Sequence, residues 1–207
     1  MLAFDTATPA VTVALHDGSS IVGRYGVVDP MRHGELLAPG IVEVLNKAGV
    51  APRELTEIAV GVGPGPFTGL RVGIVTARTM GAVLGVPVVG ICSLDVVAAG
   101  VSVTEPFAVA TDARRKEVYW ARYGSSGDRL TDPVVSKPAA VRYDGPVAGQ
   151  GAALYPADFR RAVPPEYPDA AELARLVVEH RAQILPPVPL YLRRPDVAAP
   201  SARKPVS

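Results

Sequence analysis

Two stretches of the chain follow one plan, and that repetition restricts the fold more than any other feature. LAFDTATPAVTVALHDGSS, from Leu2, and FAVATDARRKEVYWARYGSSG, from Phe107, each run an apolar strand into an aspartate. Each continues through a tight turn, a second strand and a Gly/Ser turn. The second copy starts about half-way along the 207 residues. A chain of this length that is 48% hydrophobic suits one globular unit or two small lobes, with apolar residues enough for a sizeable core.

Between the copies, periodicity predicts strands at Leu2–Phe4, around Val11, Val13 and Leu15, and at Ile21–Val28. A helix follows through HGELLAPGIVEVLNKAG, with Pro39 as a source of a kink or a late start. Then come a strand at Leu55–Val62, a helix at Leu70–Leu84, a strand at Pro87–Ile91 and a helix at Ser93–Ala99 with Ser93 placed to cap it. Antiparallel strands first and βα units after imply a mixed sheet covered by helices. In the second half, strands are expected at Phe107–Ala110, Glu117–Tyr123 and Leu130–Val135. The one clear helix there is Asp169–Gln183, with Leu173, Leu176, Val177 and His180 on one face. The division expected is 1–104, a reduced second lobe at 105–195 and a disordered tail at 196–207.

The segment GVGPGPFTGLRVG, Gly61 to Gly73, has the look of a phosphate cradle. A P-loop requires GxxxxGK[ST], and here Leu70-Arg71 follow the last glycine of the set, so the lysine is missing. The dinucleotide fingerprint fails because Pro66 takes its fourth position, and no parallel βαβ unit is expected to open at this point. Thr68 can cap the following helix. On that helix Gly69, Gly73, Ala77, Gly81 and Gly85 recur every four residues. A helical glycine costs about 0.8–1 kcal/mol relative to alanine, so the stripe calls for close backbone packing. Contact with a partner subunit is the leading reading, packing within the chain the next, and ligand binding the last.

Asp5 and Asp112 end equivalent strands. They could hold a metal–nucleotide across a cleft, or simply accept turn amides. Ala7 follows Asp5, and Arg114, Arg115 and Lys116 crowd the turn after Asp112, so the second reading is favoured. His16, His33 and His180 lack metal-ligand spacing. His33 reads as helix-start chemistry, with an interface role next. Arg114, Arg115 and Lys116 read as a solvated turn, and are also the best local candidate for RNA phosphates. No nucleophile–base pair is evident, so no catalytic residue is assigned and a peptidase has no support.

Lys+Arg 21 against Asp+Glu 20 leaves +1, so no global field draws in nucleic acid or membrane. Cys92, alone, cannot make an internal disulfide and reads as a buried thiol. The start MLAFDTATPA has no basic leader. The longest uncharged run, Thr79–Leu94, is interrupted by Pro87 and falls short of about 20 residues, so a cytoplasmic protein is expected.

The paired strand–Asp–hairpin lobes resemble the actin, sugar-kinase and Hsp70 ATPase superfamily (RNase H-like lobes). More closely, LAFDTATPAVTVAL, RHGELLAPGIVEVL, GVGPGPFTGLRVGIVTARTMGAVLGVPVVGICSLD, TDARRKEVYWARY and PLYLRRPD together resemble the bacterial TsaB (YeaZ) family. That family is similar to the transferase TsaD, whose metal-binding HxxxH would fall here on Ser93 and Val97, neither of them a histidine. The resemblance therefore implies a non-catalytic subunit without a cofactor or metal of its own. It implies a heterodimer with TsaD, recruitment of the ATPase TsaE, indirect contact with tRNA, and homodimers when alone. The interface would lie on helices at about 33–47 and 70–84, using His33, Leu36, Leu37, Ile41, Gly69, Gly73, Thr76, Ala77, Met80 and Gly81. The rival reading is an active ATP-binding kinase or ATPase of the same superfamily.

Overall fold

The computed structural model describes residues 1–192, and the tail expected at 196–207 lies outside them. Strands β1 (Leu2–Asp5), β2 (Ala10–His16) and β3 (Ile21–Val28) form an antiparallel meander. Helix α1 (His33–Ala48), β4 (Ile58–Gly61), α2 (Phe67–Leu84), β5 (Val88–Ile91) and α3 (Ser93–Ala99) follow. The first sheet has the order β3-β2-β1-β4-β5, with β4 parallel to both β1 and β5. The glycine-rich segment thus does open a parallel βαβ unit, β4-α2-β5, contrary to expectation. Periodicity reports each element but not which strand lies beside which.

The second copy of the plan builds a second sheet. It comprises β6 (Phe107–Asp112), β7 (Val118–Tyr123), β8 (Val134–Ser136) and β9 (Val147–Ala148), in the order β8-β7-β6-β9. β6 is antiparallel to β7 and parallel to β9, as β1 is to β2 and β4. The expected architecture of two lobes with mixed sheets, the second reduced, is what the chain adopts. Helices α4 (Gln150–Leu154) and α5 (Ala170–Val178) complete it.

Side-chain alternation sorts the first sheet into a large-residue face and a small-residue face. Leu2, Phe4, Val13, Leu15, Ile58 and Val60 meet Leu37, Ile41, Val44, Leu70 and Ile74 of α1 and α2. On the other face Ala3 and Ala59 let Leu173, Ala174, Leu176 and Val177 of α5 approach, while Ala14 meets Ala170 and Ala171. Helix α5 therefore belongs with the first sheet although it follows the second in sequence. The chain after it stays there, bridging Leu185 to Gly90 and donating Leu190 N–H to the Val62 carbonyl at 2.8 Å.

Several element ends move for local reasons. Helix α1 runs from His33 straight through the exposed Pro39. Helix α2 begins at Phe67, after Pro66, so Thr68 lies within its first turn and caps nothing. Cys92 is the N-cap of α3, and the Ser93 hydroxyl is used elsewhere. The last strand of the second meander is Val134–Ser136, because Arg129 and Leu130 instead pair back onto Tyr123 and Arg122. Helix α5 starts after its cap Asp169, which accepts from Ala171 N–H, and ends before His180, whose φ of 54° and exposure take it off the buried face. Cys92 is fully buried, which pushes its thiol up to about 12. No helix among the described residues is long and apolar enough to cross a membrane.

A polar cluster joins α3 to the second sheet. Asp95 of α3 accepts from Tyr123 Oη at 2.8 Å and from Arg129 Nη1 at 3.1 Å, and Arg129 Nη2 donates to Gln183 Oε1 at 3.2 Å. Burial raises the Asp95 carboxyl above its ordinary value and Arg129 draws it back. Arg129→Ala leaves a largely buried carboxylate without its cation, and a loss of about 3 kcal/mol is expected in denaturant unfolding. A group with a raised folded pKa contributes stability below its unfolded value and loses it as pH rises through the folded one. The deficit of the variant therefore grows with pH from the acid side, and an Asp95→Asn change added to it restores part of the loss.

Candidate functional site

The two strand-end turns and the start of α2 meet around a cavity of about 310 Å³. Thr6 and Thr8 of the β1–β2 turn, His33 at the start of α1, Phe67 and Thr68 of α2, and Arg114 from the second lobe all line it. This is where two lobes of this plan would be expected to face one another. Asp5, which ends β1 just before this turn, is not among the residues that line it.

Asp5 is wholly buried. Its Oδ1 accepts from Ala7 N–H at 2.7 Å and its Oδ2 from the Ser93 hydroxyl at 2.6 Å. Ser93 Oγ in turn accepts from Gly63 N–H at 3.1 Å, and Ser93 N–H donates to the Gly63 carbonyl at 2.8 Å. The carboxylate fits because Gly61 has no side chain: a Cβ there would lie 1.8 Å from Asp5 Oδ2. Desolvation raises the Asp5 carboxyl from 3.8, against the opposing pull of Ser93, the Ala7 amide and His33. Asp112, half-buried, accepts from Arg114 N–H at 2.8 Å and lies 3.7 Å from the Arg114 Nε. Both aspartates are thus engaged with turn amides, and Asp5 presents no oxygen to the cavity.

The small-residue stripe of α2 faces inward. Thr6 Oγ1 donates to the Gly69 carbonyl at 2.8 Å and accepts from Gly73 N–H at 3.0 Å, and a Cβ at Gly73 would lie 2.5 Å from it. Further along, a Cβ at Gly81 would meet Val88 Cγ2 at 2.2 Å. Gly69, Gly73, Ala77 and Gly81 are buried by the chain's own β1–β2 turn and sheet, so the expectation that they touch a partner is corrected. His33, Leu37 and Ile41 are buried too, and His33 Nε2–H donates to the Thr8 carbonyl at 2.7 Å. Of the ten interface candidates, only Leu36, Thr76 and Met80 keep part of their surface in water.

The large exposed apolar residues of these helices are others: Val42 on α1, and Phe67, Val75 (60% exposed) and Val83 (79%) on α2. Phe67, Arg71, Val75, Thr79 and Val83 form a second four-residue stripe, two positions on from the glycines. At 3.6 residues per turn that is about 200° round the helix. The signal was present in the same periodicity.

Arg114, Arg115 and Lys116 all adopt left-handed φ, of 61°, 55° and 60°, and all three are exposed. His16 is buried and its Nδ1 accepts from Gly18 N–H at 2.9 Å. Among the described residues no three His, Cys, Asp or Glu side chains gather. Ser93 is committed to Asp5, and Val97 packs in the core between α3 and the second sheet.

A double-mutant cycle tests the Asp5 seat. Asp5→Ala strands buried donors and is expected to cost about 3 kcal/mol. Gly61→Ala expels the carboxylate and costs about as much, yet adds under about 1 kcal/mol once Asp5 is alanine; additive effects would refute the seat. Because the Asp5 pKa is raised, its contribution is present below 3.8 and lost as pH rises through the folded value. Urea midpoints for Asp5→Asn should therefore improve relative to the parent as pH increases from the acid side.

The chain matches the family model described as TsaD: tRNA N6-adenosine threonylcarbamoyltransferase over residues 19–167. An uncharacterized protein of Mycobacterium tuberculosis is 43% identical over 200 residues, covering 95% of this chain and 92% of that one. One from Mycobacterium leprae is 44% identical over 95% of this chain, which spans 55% of the leprae protein. The tRNA threonylcarbamoyladenosine biosynthesis protein TsaB of Escherichia coli is 35% identical over 127 residues, 59% of this chain and 54% of that one. Among solved structures, YeaZ from Pseudomonas aeruginosa superposes with a TM-score of 0.76 at 30% identity, covering 91% of this chain and 98% of that one. Matched by the family model through most of its length and by a solved YeaZ through nearly all of it, the chain belongs to the TsaB/YeaZ-like family, with its TsaD-type domain.

Proposed function

We propose that this chain is a non-catalytic scaffold subunit of the machinery that places threonylcarbamoyl on the tRNA adenosine next to the anticodon. It docks a TsaD-type transferase through the outer faces of α1 and α2, and the assembled pair recruits the ATPase TsaE. Alone, the same surface supports a homodimer, since a self-complementary helix pair satisfies two-fold symmetry. The Escherichia coli relative, a tRNA threonylcarbamoyladenosine biosynthesis protein, supports the pathway.

One observation carries the scaffold reading. Where the transferase is expected to present its two metal-binding histidines, this chain has Ser93 locked to Asp5 and Val97 in the core. A hydroxyl already spent on a buried carboxylate and a branched alkyl group supply no imidazole. The ATPase alternative needs a strand-end carboxylate open to a metal–nucleotide, and Asp5 has none of its surface in water.

The docking face exposes valines, with Arg78 of α2 and Glu43 of α1 beside them. Val42, Val75 and Val83 stand out from it, with Leu36, Thr76 and Met80 half-buried. Apolar residues central to a contact, with few charges among them, match the core of a protein interface. Gly73 and Gly81 are unsuitable probes, since any side chain there disrupts the chain itself. Val75→Glu is the suitable one: its unfolding should shift within about 0.5 kcal/mol, while co-elution with the transferase of the same cell is lost. Modification reconstituted with purified subunits should stop when this chain is omitted; equal product in both reactions would overturn the proposal.

A further inference from the structure

The first turn of α2 carries a surface that the docking face does not explain. Phe67 and Tyr191 remain 45% and 41% exposed, although their rings are stacked on each other at 5.5 Å between centroids and 18° between planes. The guanidinium of Arg71 lies over Phe67, 4.2 Å from its centroid. Phe67 also lines the 310 Å³ cavity, and Arg114 of the second lobe lines that same cavity. One ring thus belongs both to an exposed aromatic stack and to a cleft that ends at a basic turn.

That turn is held at a cost. A left-handed backbone disfavours residues that carry a Cβ by roughly 1–2 kcal/mol apiece, and Arg114, Arg115 and Lys116 adopt it consecutively. All three side chains are exposed, and the turn is held by Arg114 N–H on Asp112 and by Glu117 N–H on the Arg114 carbonyl. Strain of this kind concentrates where a surface is shaped for a ligand. The chain's net charge is only +1, so the positive field here is local.

The geometry points to a platform for single-stranded nucleic acid, with a base laid on the Tyr191–Phe67 stack and the adjoining phosphate held by Arg114 at the basic turn. Planar rings beside guanidinium groups accept any base by its π face, while cations track the backbone. A protein partner is better matched by the exposed valines farther along α2, beside Arg78, than by this end, where Arg71 and Arg114 flank exposed rings. The inference rests on Phe67, Tyr191, Arg71 and Arg114 alone and stands apart from the scaffold reading.

Fluorescence anisotropy of the full chain with labelled RNA and DNA oligonucleotides of about ten nucleotides tests it. Binding is expected at low ionic strength and should weaken as salt is raised. Tyr191→Ala should lower affinity about tenfold while Tyr191→Trp retains it. Arg114→Gln should reduce the salt slope by about one. Both sites are exposed, so each variant should unfold with the parent. Tighter binding of RNA than of DNA, or the reverse, identifies which strand the platform serves. Absence of binding to either, or variants that bind as the parent does, would overturn the platform. So would a Tyr191→Ala protein that keeps the oligonucleotide and loses the transferase, since the stack would then be a protein contact.

Discussion

A carboxylate sealed from water holds the first lobe together. Asp5 ends the central strand β1, and its two oxygens are taken by the amide of its own turn and by the first residue of α3. Ser93 carries the constraint on to Gly63, so that the loop entering α2 and the loop entering α3 are both fixed to β1. Burying a charge without partners is costly, and a short bond to a hydroxyl with an amide on the other oxygen is the minimum that makes it tolerable. Thr6, the next residue, repeats the device on α2, bonding the Gly69 carbonyl and the Gly73 amide. The β1–β2 turn thus serves as the anchor on which the helices of this lobe are set.

This arrangement gives the glycines a single explanation. A loop rich in glycine can approach a ligand's phosphate, or it can approach the chain's own backbone and carboxylate. Gly61 makes room for Asp5, and a Cβ at Gly65 would come within 2.1 Å of the Ala7 carbonyl. The room beside Gly61 and Gly65 is filled by Asp5 and the Ala7 carbonyl.

Much of the fold was legible because each signal was local. The repeated strand–Asp–hairpin, the 3.6-residue periodicity of α1 and α2 and the alternation of β2 all depend on near neighbours. What was hidden depended on contacts distant in sequence. Nothing near Ser93 distinguishes a helix cap from the partner of a carboxylate 88 residues away. The alanines of α5 look like helix filler until Ala3, Ala14 and Ala59 are placed beneath them. At the candidate site, a stripe of small residues establishes that something approaches closely but not from which molecule. The first sheet answers that question, because Thr6 and Val88 occupy the approach.

The inward turn of that stripe has a consequence for what α2 can offer outward. A helix that spends its glycine face on its own sheet must present the residues about 200° away, and these change character along its length. The start carries Phe67 beside Tyr191 and under Arg71, next to the cavity that Arg114 closes. The later turns carry Val75 and Val83, with Arg78 exposed between them and Met80 half-buried at the margin. Apolar side chains gain most from a partner that excludes water across them. Exposed rings among cations gain most from a planar, negatively charged one. Because the Thr6 bonds set the rotation of α2, the anchor at the β1–β2 turn settles which of these chemistries faces solvent at each turn of the helix.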